Sequence, residues 1–174
     1  MSETAVEHKS LSLKKLNFAI IICSTSRYNQ KKIIMKDISG EYLERTLTKN
    51  GHNVITKKII ADDKNMIIDT LKEVLDSPNL HAAIFSGGTG INSNDVTIET
   101  VSPFLEKILP GFGEIFRQIS YNEIGSAAVL SRALAGIACG KIIYCIPGSP
   151  NAVKIAVERL ILSESAHIVK HIRE

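Results

Sequence analysis

The chain has 174 residues, of which 44% are apolar and 22% charged, and its net charge is +3 at pH 7. At about 100–200 residues per domain this is one domain, large enough to bury a core without disulfide or metal staples, and the composition excludes wholesale disorder. Lys and Arg are scattered, which argues against a nucleic-acid footprint, and no apolar run nears the roughly 18–20 residues of a membrane span.

Residues 1–16 read as a short mobile lead-in, polar and mixed in charge, without the apolar stretch of a signal peptide. From Asn17 onward, short apolar runs alternate with longer amphipathic segments, the pattern of an α/β fold. Phe18–Cys23 is apolar on both faces, as a central parallel strand requires. A polar, basic loop over Ser24–Asp37 follows, and then a helix over Ile38–Asn50 stopped by Gly51. Asn53–Ile60 alternates like a half-buried strand, while Lys64–Asp76 puts Ile67, Ile68, Leu71, Val74 and Leu75 on one helical face. Ala82–Ser86 is a second buried strand. Val96–Leu109 reads as mostly helical with an interruption at Pro103, and Gly111-Phe112-Gly113 opens a helix over Glu114–Tyr121. Ala133–Cys139 and Lys141–Tyr144 make an antiparallel pair about Gly140, and Asn151–Leu162 is the last helix. The expected architecture is a three-layer α/β/α domain with a mostly parallel central sheet and one small antiparallel strand pair. The cysteines Cys23, Cys139 and Cys145 lack CxxC spacing and sit in or beside apolar runs. They read as reduced core residues of a cytoplasmic protein.

In such a sheet, ligands bind in the crevice beyond the carboxyl ends of the strands. Four strand exits carry suitable chemistry. Ser24-Thr25-Ser26-Arg27 offers hydroxyls and a guanidinium to a phosphate, or is an ordinary polar loop. Ser86-Gly87-Gly88-Thr89-Gly90 lets backbone N–H groups approach an anion, and Asp95 beyond it suits Mg²⁺ or the cap of the next helix. It is neither a Walker loop nor GxGxxG. At Pro147-Gly148-Ser149-Pro150, Ser149 is the natural N-cap, which aims a helix N-terminus at the crevice. Asp62-Asp63 lies at a strand-to-helix junction, where capping is the plainer reading. With no His or Cys nucleophile among them, these loops favour phosphoryl or nucleotidyl transfer over acyl transfer. His167 and His171, at i,i+4, could share a metal but lack a third ligand. His8, His52 and His81 read as surface residues.

The ordered motifs Ser86-Gly87-Gly88-Thr89-Gly90, Asn94-Asp95-Val96-Thr97, Pro110-Gly111-Phe112-Gly113-Glu114, Leu130-Ser131-Arg132-Ala133, Ala135-Gly136 and Pro147-Gly148-Ser149-Pro150 closely resemble the MoaB/MogA proteins of molybdenum-cofactor biosynthesis. The same domain occurs in gephyrin-like proteins. Asp37-Ile38-Ser39-Gly40-Glu41-Tyr42-Leu43, Phe116-Arg117-Gln118-Ile119-Ser120 and Glu123-Ile124-Gly125 look more like the MoaB branch, and the resemblance spans Asn17–Leu162. It implies a molybdopterin-binding α/β domain, a homotrimer or hexamer, that converts Mg-ATP and molybdopterin to adenylyl-molybdopterin and pyrophosphate. The product would pass to a downstream molybdenum-insertion protein.

By position, Asp95 and Asp62 match the family's two essential aspartates, with Asp95 the candidate ligand for Mg²⁺. Ser24, Ser26, Gly87, Gly88, Thr89, Gly90, Ser131, Gly148 and Ser149 match its ligand loops. Two departures stand out: Asn94 occupies the place of a common Arg before the aspartate, and Ser24-Thr25-Ser26-Arg27 replaces a common Ser-Asp-Arg. Some MoaB proteins lack transferase activity, so a non-catalytic molybdopterin-binding or scaffolding protein is the alternative. Retention of both aspartates favours the enzyme.

Overall fold

The computed structural model describes residues 15–29 and 37–174. The lead-in expected over residues 1–16 therefore lies, apart from its last two residues, outside the described residues, as do residues 30–36 of the expected basic loop.

Strands β1 (Asn17–Cys23), β2 (Asn53–Ile60), β3 (Ala82–Ser86), β4 (Lys107–Ile108), β5 (Leu134–Ala138) and β6 (Lys141–Ile146) form one sheet in the order β2-β1-β3-β6-β5-β4. β1 pairs in parallel with β2 and β3, and β3 with β6, whereas β5 runs antiparallel to both β6 and β4. The alternation along β1 explains its continuous apolarity. Phe18, Ile20 and Ile22 pack on one face against Leu43, Leu47 and Phe116, while Ala19, Ile21 and Cys23 pack on the other against Ile67, Leu71 and Val74. Both faces are thus covered by helices, and each large side chain so buried contributes roughly 1.5–3 kcal/mol.

On the first face lie α2 (Ile38–Lys49), α5 (Pro110–Ile124) and a long helix built of α6 (Pro150–Ala156), a π-helical turn (Val157–Ile161) and α7 (Leu162–Arg173). On the second lie α3 (Lys64–Asp76) and the short α4 (Thr97–Val101). The three-layer architecture read from the sequence is the one observed. After β1 the chain moves to β2 on one side, whereas β3 leads on toward β6 on the other. The loops leaving β1 and β3 therefore diverge and open a crevice between them, the usual ligand position in such a sheet.

Several expectations are corrected. The first part of the supposed Ser24–Asp37 loop is a short helix, α1 (Thr25–Asn29), started by the Ser24 carbonyl accepting from the Tyr28 N–H at 2.9 Å. Only Thr97–Val101 and a 3₁₀ turn (Ser102–Phe104) of the Val96–Leu109 segment are helical, because Lys107–Ile108 pairs with β5 as an edge strand. α5 begins at Pro110, whose missing N–H is harmless in a first turn. Cys139 is exposed rather than in the core. It forms with Gly140 the two-residue link between β5 and β6, and both have positive φ, 47° and 69°, as a type I′ hairpin turn requires. Cys23 and Cys145 are buried as expected. His52 is buried, its Nδ1 accepting from the Leu16 N–H at 3.2 Å, and His81 is half-buried and accepts from the Asn17 N–H at 2.9 Å. Each ring satisfies a backbone donor at the start of β1, which a surface reading of the sequence misses.

Candidate functional site

The first loop is tied to the second strand exit. Ser24 donates its N–H to the Ile60 carbonyl at 2.9 Å, and its hydroxyl lies 3.2 Å from that of Ser26. The Asp62 carboxylate accepts from the Thr25 N–H at 2.7 Å and from the Thr25 hydroxyl at 2.9 Å, and the same hydroxyl accepts from the Asp62 N–H. Asp62 does not cap α3. Asp63 does, accepting from the Met66 N–H at 3.0 Å, so the two adjacent carboxylates divide the work.

The glycine loop is clamped from below. Gly87 donates to the Ile146 carbonyl at 2.9 Å, while Thr97 donates its hydroxyl to the Gly87 carbonyl and its N–H to the Gly88 carbonyl, each at 2.9 Å. Gly87 and Gly88 have φ of +108° and +60°. A β-carbon on Gly87 would lie 2.2 Å from the Cys23 carbonyl oxygen, and one on Gly88 would lie 2.5 Å from Thr97 Oγ1 and 2.8 Å from Asp62 Oδ1. Only glycine permits this backbone path, and the contact brings Asp62 against the loop. Thr89 is buried beside them.

At the far end, Asp95 Oδ2 accepts from the Asn92 N–H at 2.9 Å and would meet a β-carbon on Gly90 at 2.6 Å. Asp95 is not the cap of α4, since Val96 holds that position without a side-chain bond. Each of the two aspartates thus spends one carboxylate oxygen on a loop bond. The other oxygen makes no hydrogen bond among the described residues.

At the third exit Ser149 caps α6, accepting from the Ala152 N–H at 3.4 Å, and Pro150 follows it. Gly148 packs on the glycine loop, where a β-carbon would lie 3.1 Å from Gly87 Cα, and its carbonyl accepts from the Ser39 hydroxyl at 2.9 Å. The chain therefore draws Asp62, Gly87, Gly88 and Gly148 together, with Ser24 and Ser26 joined through Thr25, and Gly90 and Asp95 at the loop's outer end. No hydrogen bond ties Ser131 to the loop among the described residues. Its N–H closes the turn on the Ala128 carbonyl at 2.9 Å.

Sequence reasoning missed two residues here. Thr97 holds the glycine backbone, and Arg132 donates to the Gly90 carbonyl at 3.1 Å while pairing with Glu99. Burial raises the Glu99 carboxyl, but the Arg132 hydrogen bond and charge outweigh it and hold the group below its ordinary value. Arg132 thus brings a guanidinium to the loop in a chain that has Asn94 where the resemblance leads one to expect an arginine. Burial also pushes the Cys23 thiol beneath the loop up to about 12, with a smaller rise from the Asp62 charge and a partial offset from Thr97. Asp37 Oδ2 and Ser86 Oγ are buried and have no hydrogen-bond partner among the described residues.

His167 and His171 lie elsewhere, on α7, and no group of three or more His, Cys, Asp or Glu among the described residues is arranged to hold a metal. No helix among them is long and apolar enough to cross a membrane.

Comparison with known proteins gives consistent matches. The sequence model of a family described as "Probable molybdopterin binding domain" matches residues 19–167. A "Probable molybdopterin adenylyltransferase" of Methanocaldococcus jannaschii is 42% identical over 164 residues, covering 93% of this chain and 97% of that one. A "Molybdenum cofactor biosynthesis protein B" of Bacillus cereus is 40% identical over 166 residues, 95% of either chain. The crystal structure of "tungsten cofactor synthesizing protein MoaB from Pyrococcus furiosus" superposes with a TM-score of 0.85 at 39% identity, covering 94% of this chain and 100% of that one.

Proposed function

The chain belongs to the molybdopterin-binding domain family, and on that premise we propose that it is a molybdopterin adenylyltransferase of molybdenum cofactor biosynthesis. The terminal phosphate of molybdopterin attacks the α-phosphorus of ATP in line. A phosphorus–oxygen bond forms there as the bond to the β-phosphate breaks, and pyrophosphate leaves. The attacking phosphate is already anionic near neutral pH, so no protein base is needed, and catalysis is positioning plus charge stabilisation.

The observation that carries this reading is the convergence of Asp62, Gly88 and Gly148 on one crevice. In it the N–H groups of Gly88, Thr89 and Gly90 and of the α6 N-terminus hold phosphate oxygens, with Ser24, Ser26, Thr89, Ser131 and Ser149 as further ligand contacts. Arg132 adds a cation at the outer end of the loop.

Mg²⁺ suits this donor set, because hard carboxylate oxygens of Asp95 and Asp62 are left uncommitted and Mg²⁺ takes one or two carboxylates together with substrate phosphates. Bound there, it would neutralise charge on the α-phosphate and the departing pyrophosphate.

Purified protein incubated with molybdopterin and Mg-ATP, beside Asp95→Asn, tests the reading. Adenylyl-molybdopterin from the wild type alone supports it. Molybdopterin binding with no product would make the protein the binding or scaffolding member instead.

The exposed apolar side chains Ile115, Tyr121 and Ile124 of α5, with Val129 and Leu130 after it, suit burial between copies in a homotrimer or hexamer. A solution mass of one chain would remove that part of the reading. The protein acts in the cytoplasm, in keeping with its buried thiols, and passes its product to a molybdenum-insertion protein.

A further inference from the structure

The helix α7 presents a pair of imidazoles whose geometry is independent of the crevice. His167 Nε2 and His171 Nε2 lie 2.9 Å apart. The other nitrogen of each ring meets a carboxylate three residues away in sequence: His167 Nδ1 lies 3.4 Å from Glu164 Oε2, and His171 Nδ1 lies 3.0 Å from Glu174 Oε2, the residue after the helix. A carboxylate oxygen facing a ring nitrogen favours the tautomer with its hydrogen on Nδ1, a contact that His171 makes at 3.0 Å and His167 more loosely at 3.4 Å. A neutral ring in that tautomer offers a lone pair at Nε2. The 2.9 Å between the two Nε2 atoms is a distance that one shared proton, as a hydrogen bond, or one bound metal ion would span.

Carboxylate support behind an imidazole is the usual outer shell of a metal-bound histidine, fixing the ring and raising its basicity. The spacing also suits a cis pair of ligands. At bond lengths of about 2.0–2.1 Å to both nitrogens, an N···N separation of 2.9 Å gives an angle near 90° at the metal. That is the cis angle of tetragonal coordination by nitrogen and oxygen, the preference of Ni²⁺ and Cu²⁺, whereas hard Mg²⁺ prefers oxygen alone.

The pair opens into a cavity of about 450 Å³ whose lining includes Glu106, Lys107 and Gly140. There is room for water to complete the shell, and the opposite charges of Glu106 and Lys107 offset one another. Gly140 belongs to the turn that enters β6, while the crevice lies beyond Ile146 at the strand's other end. The two sites are therefore at opposite ends of the sheet's strands.

We propose that His167 and His171 form a two-nitrogen site for a late divalent transition-metal ion, Ni²⁺ or Cu²⁺, with water in the remaining positions and Glu164 and Glu174 orienting the rings. With only two protein ligands the ion exchanges readily. The site does not depend on the transferase reading.

The test is calorimetric titration of the full, tag-free chain with Ni²⁺, alongside thermal unfolding with and without the ion. The wild type binds one ion per chain and its Tm rises with ion concentration by linkage. His167→Ala and His171→Ala each weaken binding at least about tenfold, and Glu174→Gln weakens it by about tenfold through the outer shell. Both histidines sit on a partly exposed helix face, so Tm without the ion stays near that of the wild type. Unchanged Ni²⁺ affinity in the His167→Ala/His171→Ala double variant would overturn the proposal, as would a wild-type chain that does not saturate by about 1 mM. Mg²⁺ at the same concentrations does not displace Ni²⁺, and displacement would also count against it.

Discussion

The Asp62 carboxylate grips Thr25 twice, at 2.7 and 2.9 Å, and turns its other oxygen to within 2.8 Å of where a β-carbon on Gly88 would stand. One side chain thus joins the exits of β1, β2 and β3. Its structural and chemical roles separate on substitution. Asp62→Asn keeps an acceptor for Thr25, so its Tm stays close to that of the wild type while adenylyl-molybdopterin formation falls by a large factor. Asp62→Ala loses the grip as well and costs about 1–2 kcal/mol in thermal unfolding. Wild-type turnover in Asp62→Asn would take the residue out of the reaction.

The glycine loop ranks its own substitutions. Gly87→Ala sets a β-carbon 2.2 Å from a backbone carbonyl, at φ +108°, and the backbone itself must move. Gly148→Ala meets Gly87 Cα at 3.1 Å, which a small shift relieves, and Gly111→Ala meets nothing within 4 Å. Chemical denaturation should place them in that order, with Gly87→Ala losing about 1–3 kcal/mol or more and Gly111→Ala within about 0.5 kcal/mol of the wild type. Equal losses at all three positions would mean that the loop's path is not set by these contacts.

Arg132 is expected to matter for turnover far more than for folding. Its pair with Glu99 is partly exposed, with side-chain exposures of 32% and 50%, and such pairs contribute about 0–1 kcal/mol. Its bond to the Gly90 carbonyl, however, holds a cation at the outer end of the glycine loop, where the proposed reaction would place phosphate charge. Arg132→Gln should therefore raise KM for ATP or lower kcat at least about tenfold with little change in Tm. Glu99→Gln, which leaves the guanidinium in place, should be milder. A variant that loses stability and activity together would assign Arg132 to the fold instead.

What the sequence made legible follows from range. β1 and β3 were readable because a strand buried on both faces needs apolar residues at every position, and the glycine loop because only glycine tolerates its φ values. Ser149 was readable as a cap from local chemistry alone. Thr97 and Arg132 were not, since their partners Gly87 and Gly90 are 10 and 42 residues away and meet them only once the sheet closes. Local propensity misled at α1, where Ser24, Thr25 and Ser26 look like turn residues but the Asp62 clamp holds a helical turn. It misled again at α5. Gly111-Phe112-Gly113 reads as the opening of a helix that starts at Glu114, yet Gly113 lies inside the helix and lets it approach the start of β5, where a β-carbon would lie 2.6 Å from the Ala133 carbonyl oxygen.

Buried titratable groups fix the pH range of stability, and the thiols supply a direct check. Burial raises Cys23 from an ordinary 9.0 to about 12 and pushes Cys145 up as well. Above pH 9 the unfolded chain releases these protons and the folded one keeps them, so stability falls as pH rises toward 12. On the acid side, burial lowers His52 from 6.5. The unfolded chain then takes up a proton that the folded ring refuses while it accepts from Leu16, and stability falls as pH drops below 6.5. His52→Gln should flatten that acid limb in urea titrations at a series of pH values. In the native protein at pH 8 a thiol reagent should modify the exposed Cys139 quickly, and Cys23 and Cys145 only on unfolding. Rapid reaction of all three would mean that the strand ends beneath the glycine loop open far more often than their burial implies.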